Sequence, residues 1–223
     1  MCNLLHVHLG WSMWHATWAA QKLPTDWEDQ CERSFFCKVH AIKEFDIPAV
    51  LYINSDQMQV IYAPGNHMMW APIGAKQVSL VGADEKCTFT LMTSVAANGT
   101  ILPFQAIYSR LTKASLSTLG SLQKDLDKEG FCIKFSGTRT YWSNQSTMCN
   151  FIIYILTPYF DCIRSDLNLN ILQSQKALWQ INVWSVHRSE EFCTWMKKFH
   201  PLIILDYMPG GCTGVHQSCD VGI

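Results

Sequence analysis

The sequence predicts an α/β fold, a mixed sheet flanked by helices and preceded by an N-terminal helical segment. Three observations carry that prediction. Short apolar runs at residues 49–53, 78–81, 177–183 and 202–205 read as strands buried on both faces. Cys87, Phe89 and Leu91 alternate with Thr88 and Thr90, and Asn98-Gly99 is a hairpin turn signal ahead of residues 101–108. Helical periods then separate the later strands, which is the pattern of parallel pairing through crossovers.

The elements follow in order. Trp11, Trp14 and Trp18 stand at i, i+3 and i+7, one face of a helix ending before Pro24. Thr25 with Glu28 has the spacing of a capping box. It opens a second helix with an apolar face of Trp27, Cys31, Phe35, Val39 and Ile42. The run at 49–53 is expected to end at Asn54-Ser55-Asp56, leaving a carboxylate at a strand tip. Residues 111–140 are more polar, with Gly120, Gly130 and Gly137, and read as irregular connection plus a short helix. Met148, Phe151, Ile152, Ile155 and Tyr159 restore the helical period, and Pro158 is expected to bend or end that helix. Ser189 caps the next helix, Glu190 and Glu191 suit its first turn, Lys197 and Lys198 its last, and Phe192, Trp195, Met196 and Phe199 form its core face. The succession of strands and helices matches a ribonuclease-H-like core.

Composition bounds the function. A chain of 223 residues with 48% apolar and 16% charged residues can build a substantial core and is not a disordered chain. A net charge of −1 excludes a body that grips nucleic acid by charge alone. No stretch is long and apolar enough to predict a membrane span. Residues 1–21 lack the basic start of a signal peptide. The 10 cysteines include no CxxC pair and read as reduced, packed thiols.

Open α/β sheets bind ligands at the carboxyl ends of their strands, which singles out three polar residues. Asp56 follows one strand, Asn182 ends another, and Asp220 lies in a loop after the last. Three oxygen donors converging there suit Mg²⁺ or Mn²⁺. The surrounding segments resemble transposase-derived DDE endonucleases of the mariner–pogo superfamily. The resemblance is carried by Leu51-Tyr52-Ile53-Asn54-Ser55-Asp56-Gln57, Gly74-Ala75-Lys76-Gln77-Val78, Gly82-Ala83-Asp84-Glu85-Lys86, Thr140-Tyr141-Trp142-Ser143-Asn144 and Pro158-Tyr159-Phe160. Its most specific blocks are Leu178-Trp179-Gln180-Ile181-Asn182-Val183-Trp184-Ser185-Val186-His187-Arg188, Pro209-Gly210-Gly211-Cys212-Thr213-Gly214 and His216-Gln217-Ser218-Cys219-Asp220-Val221-Gly222.

The resemblance implies a helical linker over residues 1–45 and an endonuclease domain over 46–223, shortened at its C-terminus. It also implies two divalent cations held by three carboxylates, acting on DNA phosphodiesters, and nuclear residence. Asp56 is then the first carboxylate and Asp220 the third, and His187 matches a histidine that orients the site or substrate. The second position holds Asn182 where the family has Asp. A neutral amide oxygen removes one of three negative charges, so weak metal occupancy and impaired cleavage are expected.

The residues also offer other chemistries. Cys212, His216 and Cys219, with His187 or Cys193 as a fourth donor, offer zinc-type ligands but match no common finger spacing. No Gly-x-Ser-x-Gly elbow supports a serine nucleophile. The alternative to a damaged enzyme is a non-catalytic module binding nucleic acid or protein, with Lys134, Arg139, Lys197, Lys198 and His200 as a modest basic contribution.

Overall fold

The computed structural model describes residues 10–15, 23–61, 68–74, 88–112, 116, 122–166 and 175–221. Two units are distinguished: Met1–Lys22 with Ile61–Thr88, and Leu23–Val60 with Phe89–Ile223. In the first, β1 (Trp11–His15) and β3 (Met68–Pro72) form an antiparallel ribbon in which Met13 pairs with Trp70.

The second unit holds the sheet. Its strands are β2 (Tyr52–Ile61), β4 (Thr88–Ala96), β5 (Gln105–Tyr108), β6 (Cys132–Phe135), β7 (Ala177–Asn182) and β8 (Ile203–Met208), in the order β6-β5-β4-β2-β7-β8. β4 and β5 pair antiparallel, whereas β5–β6, β2–β7 and β7–β8 are parallel. Sequential strands lie on one side of β2 and helix-linked parallel strands on the other. That is the order of a ribonuclease-H-like sheet with an additional edge strand, β6.

Each element has a local cause. Burial alternates strictly along β4 with the period of a strand, but Thr88, Thr90, Met92, Ser94 and Ala96 face inward while Phe89 and Leu91, the apolar set of the sequence pattern, are half-buried. β7 is buried from Ala177 to Ile181 because strands lie on both sides and layers cover both faces. One layer is α3 (Gln145–Phe151), a π-helical turn (Ile152–Leu156) and α4 (Thr157–Asp166), where Phe151, Ile152, Ile155, Leu156 and Phe160 join Ile53 and Trp179 in the core. Asn144 caps α3 reciprocally with Thr147. The π turn lies just before Pro158, where the ring would otherwise meet the helical carbonyl four residues back. The helix therefore continues past Pro158 to Asp166, and the irregularity sits upstream of the proline.

Further helices are α1 (Trp27–Glu44), α2 (Leu122–Lys128) and α5 (Glu190–Phe199), with two short turns, α6 (Thr213–His216) and α7 (Ser218–Val221), near the C-terminus. Ser189 Oγ accepts the Phe192 N–H and caps α5, and Phe192 and Met196 are buried as expected. Phe199, on the last turn, is exposed instead.

The N-terminal segment differs from the helical expectation. Trp11 and Trp14 lie on a strand, because aromatic residues take strand geometry readily once a partner such as β3 is present; Trp18 lies outside the described residues. The second helix is present as α1, but Asp26 is its N-cap and no side chain caps it. None of its residues is fully buried: Ala41 and Ile42 touch the core, whereas Phe35 is exposed. The β6 edge strand was hidden in the polar stretch 111–140, since all four of its residues are only half-buried. The run at 78–81 lies outside the described residues, and among the described residues no helix is long and apolar enough to cross a membrane.

Candidate active site

Asp56 does not stand at a strand tip. Residues Ala49–Leu51 form a 3-10 turn, and β2 then runs through Asn54, Ser55 and Asp56 to Ile61. The polar run does not break the strand because its side chains find partners inside the fold. Asn54 Nδ2 donates to Gln180 Oε1 at 3.1 Å, and Ser55 Oγ accepts the Trp179 indole N–H at 2.8 Å and shares a hydrogen bond with Ser94 Oγ.

Register brings two of the candidates together. Asn54 pairs with Gln180, so Asp56 and Asn182, each two residues further, lie side by side at the carboxyl end of β7. Asn182 Nδ2 donates to Asp56 Oδ1 at 2.6 Å. The C-terminal segment closes on the same strand. Cys219 N–H donates to Asn54 Oδ1 at 3.0 Å and Gln217 Nε2 to the Ser55 carbonyl at 3.3 Å. Helix α7, with Asp220 in its backbone, is thereby tied to β2 beside Asp56; the Asp220 side chain lies outside the described residues.

His187 is buried, with both ring nitrogens engaged. A carbonyl can only accept, so Nδ1 carries the proton and donates to the Asn182 carbonyl at 2.8 Å. Nε2 then accepts from Gln57 Nε2 at 3.3 Å. Gln57 Oε1 in turn accepts from Ser143 Oγ at 2.6 Å. Burial lowers the His187 pKa and favours the neutral ring, and the bond to the Asn182 carbonyl only partly opposes it. The chain Ser143–Gln57–His187 thus holds the backbone at position 182. Sequence reasoning missed Gln57 and Ser143, although both lie in the quoted blocks.

A second polar network flanks the pair. Gln180 is fully buried, accepts from the Tyr52 hydroxyl at 2.8 Å and donates to Asp206 Oδ2 at 2.7 Å. Desolvation raises the Asp206 pKa, opposed by the charge of Lys38 on α1 and by the Gln180 bond. The folded state therefore keeps this proton to higher pH than the unfolded chain. The resulting stability is complete below the ordinary aspartate range and is lost as pH rises through the folded value. Asp206→Asn is expected to flatten the stability profile from the ordinary aspartate range upward, with the native chain losing relative to the variant as pH rises. Urea melts across that range check it, and parallel profiles would refute the assignment.

Whether a divalent cation fits is decided by the Asn182 amide. Its N–H, not its oxygen, faces Asp56. The amide oxygen, the one atom of that side chain able to ligate a hard cation, is buried without a hydrogen-bond partner. Among the described residues no group of three or more His, Cys, Asp or Glu side chains is placed to hold a metal, and this includes the cysteines and histidines weighed for zinc. As arranged, Asp56 and Asn182 do not fit the ion that the family resemblance implies.

No protein-family model and no characterised protein matches the chain. Among solved structures, the Mos1 transposase paired-end complex with left transposon end is similar at a TM-score of 0.42 and 7% identity, over 94% of this chain and 50% of that one. The chain thus spans about half the length of the structure it matches.

Proposed function

We propose that the chain is a DNA-acting domain of the DDE transposase type whose reaction centre is Asp56, position 182 and Asp220, impaired in this copy by Asn182. The observation that carries the reading is the side-by-side placement of Asp56 and Asn182, with the helix containing Asp220 tied to the same strand. The motif blocks quoted above support the substrate class, DNA phosphodiesters, and with it residence in the nucleus. In an intact member of the type, Mg²⁺ or Mn²⁺ supplies the Lewis acid for phosphoryl displacement. In this chain Asp56 contributes one charge and His187 acts as a positioning residue for the strand end.

The hydrogen bond from Asn182 to Asp56 also favours a second reading, a module that keeps DNA or protein binding without turnover. Plasmid nicking in Mn²⁺ separates the two. The native chain is expected to stay at background, and Asn182→Asp to raise nicking by about tenfold or more. DNA binding that persists with no gain in Asn182→Asp supports the module. Absence of DNA binding in both proteins refutes the DNA reading.

A further inference from the structure

We propose that the Asn182 amide stands in for a cation, so that the pair it forms with Asp56 is stable with no divalent metal. The inference rests on the reading of Asp56 and position 182 as paired ligand positions. Two carboxylates at that separation repel, and they persist only with a cation between them or with one protonated. The Asn182 N–H supplies the missing positive end directly, as a short charge-assisted hydrogen bond to Asp56 Oδ1. The His187 bond to the Asn182 carbonyl holds the backbone that aims the amide.

The orphaned amide oxygen shows which atom sets the orientation. A freely chosen rotamer would satisfy the oxygen as well, since a buried unpaired acceptor is costly. Here the oxygen is left unpaired and the N–H is bonded, so the carboxylate dictates the rotation. A metal would demand the opposite face of the amide. It would have to turn Asn182 around and break the bond to Asp56, so the present arrangement opposes metal entry. The pair behaves as donor and acceptor, not as two ligands.

Thermal melts of the full chain, followed by circular dichroism in EDTA, MgCl₂ or MnCl₂, test this. The native midpoint is expected to be the same in all three. Asn182→Asp is expected to melt about 4–8 °C lower in EDTA and to recover in MnCl₂, because the metal binds only the folded site. The exchanged pair Asp56→Asn with Asn182→Asp restores one donor facing one acceptor, so it is expected to regain the native midpoint in EDTA and to ignore MnCl₂. This exchange keeps the test decisive even if Asn182→Asp fails to fold. A native chain stabilised by MnCl₂, or an exchanged pair no more stable than Asn182→Asp in EDTA, overturns the inference. Failure of DNA binding would remove the proposed function and leave these melts untouched, so the two readings fail separately.

Discussion

Trp179→Ala is expected to cost the domain about 3–5 kcal/mol, a large share of the roughly 5–15 kcal/mol that holds a domain together. Trp179 is fully buried on β7, its ring 6.1 Å from that of Phe151 across the sheet–helix layer. Alanine removes the largest side chain of the core and leaves a cavity that β7, paired on both sides, cannot collapse to fill. It also strips the Ser55 hydroxyl of the indole donor, between Asn54 and Asp56 on β2. Trp179→Phe fills most of the volume and is expected to lose only about 1–2 kcal/mol, chiefly the indole hydrogen bond. Urea melts of both variants measure the difference, and an alanine variant within about 1 kcal/mol of native would mean that this core is not packed as described.

Gln180→Leu comes next, with an expected loss of about 2–5 kcal/mol. Leucine matches the volume but leaves the Tyr52 hydroxyl, the Asn54 amide and the Asp206 carboxylate each short of a partner, at about 1–3 kcal/mol per buried group and less than additively. The damage reaches the candidate site because Asn54 also receives the Cys219 N–H that ties down the helix with Asp220. Gln180→Glu gives the network a distinct signature. The new carboxylate keeps the acceptor for Tyr52 and Asn54 but faces Asp206, so the two must share a proton. Its stability deficit is expected to be large at pH 7 and to shrink toward pH 4–5, where the shared proton is retained. A deficit independent of pH would show that Gln180 and Asp206 are not in contact.

The sheet was legible where a residue's own neighbours in sequence settle its environment. Alternation around Phe89 specifies a strand but not its phase, since Thr88 and Thr90 face inward and Phe89 and Leu91 are half-buried, and Asn98-Gly99 specifies the turn, where Gly99 takes a φ of 89°. Ser189 with the following acidic pair specifies the start of α5. The sequence offered Asp56 and Asn182 as candidates, and the parallel register of β2 and β7 sets them side by side. Other features were not legible, for one shared reason. Trp11–His15 is a strand because Met68–Pro72 lies beside it, a partner more than fifty residues away in the chain. Asn54 and Ser55 read as a strand end and are strand interior, since Gln180, Trp179 and Ser94 satisfy them from other strands.

By itself, the sequence determined the α/β class, several of the strands, the cap of α5 and the presence of a neutral amide at position 182. Only the tertiary structure decided which way that amide faces. An asparagine can present a donor or an acceptor, and composition and spacing are silent on which. The carboxylate of Asp56, brought to 2.6 Å by parallel pairing of β2 and β7, selects the donor and leaves the oxygen unpaired. Side-chain orientation is set by partners distant in sequence, and those partners exist only once the strands have found their register.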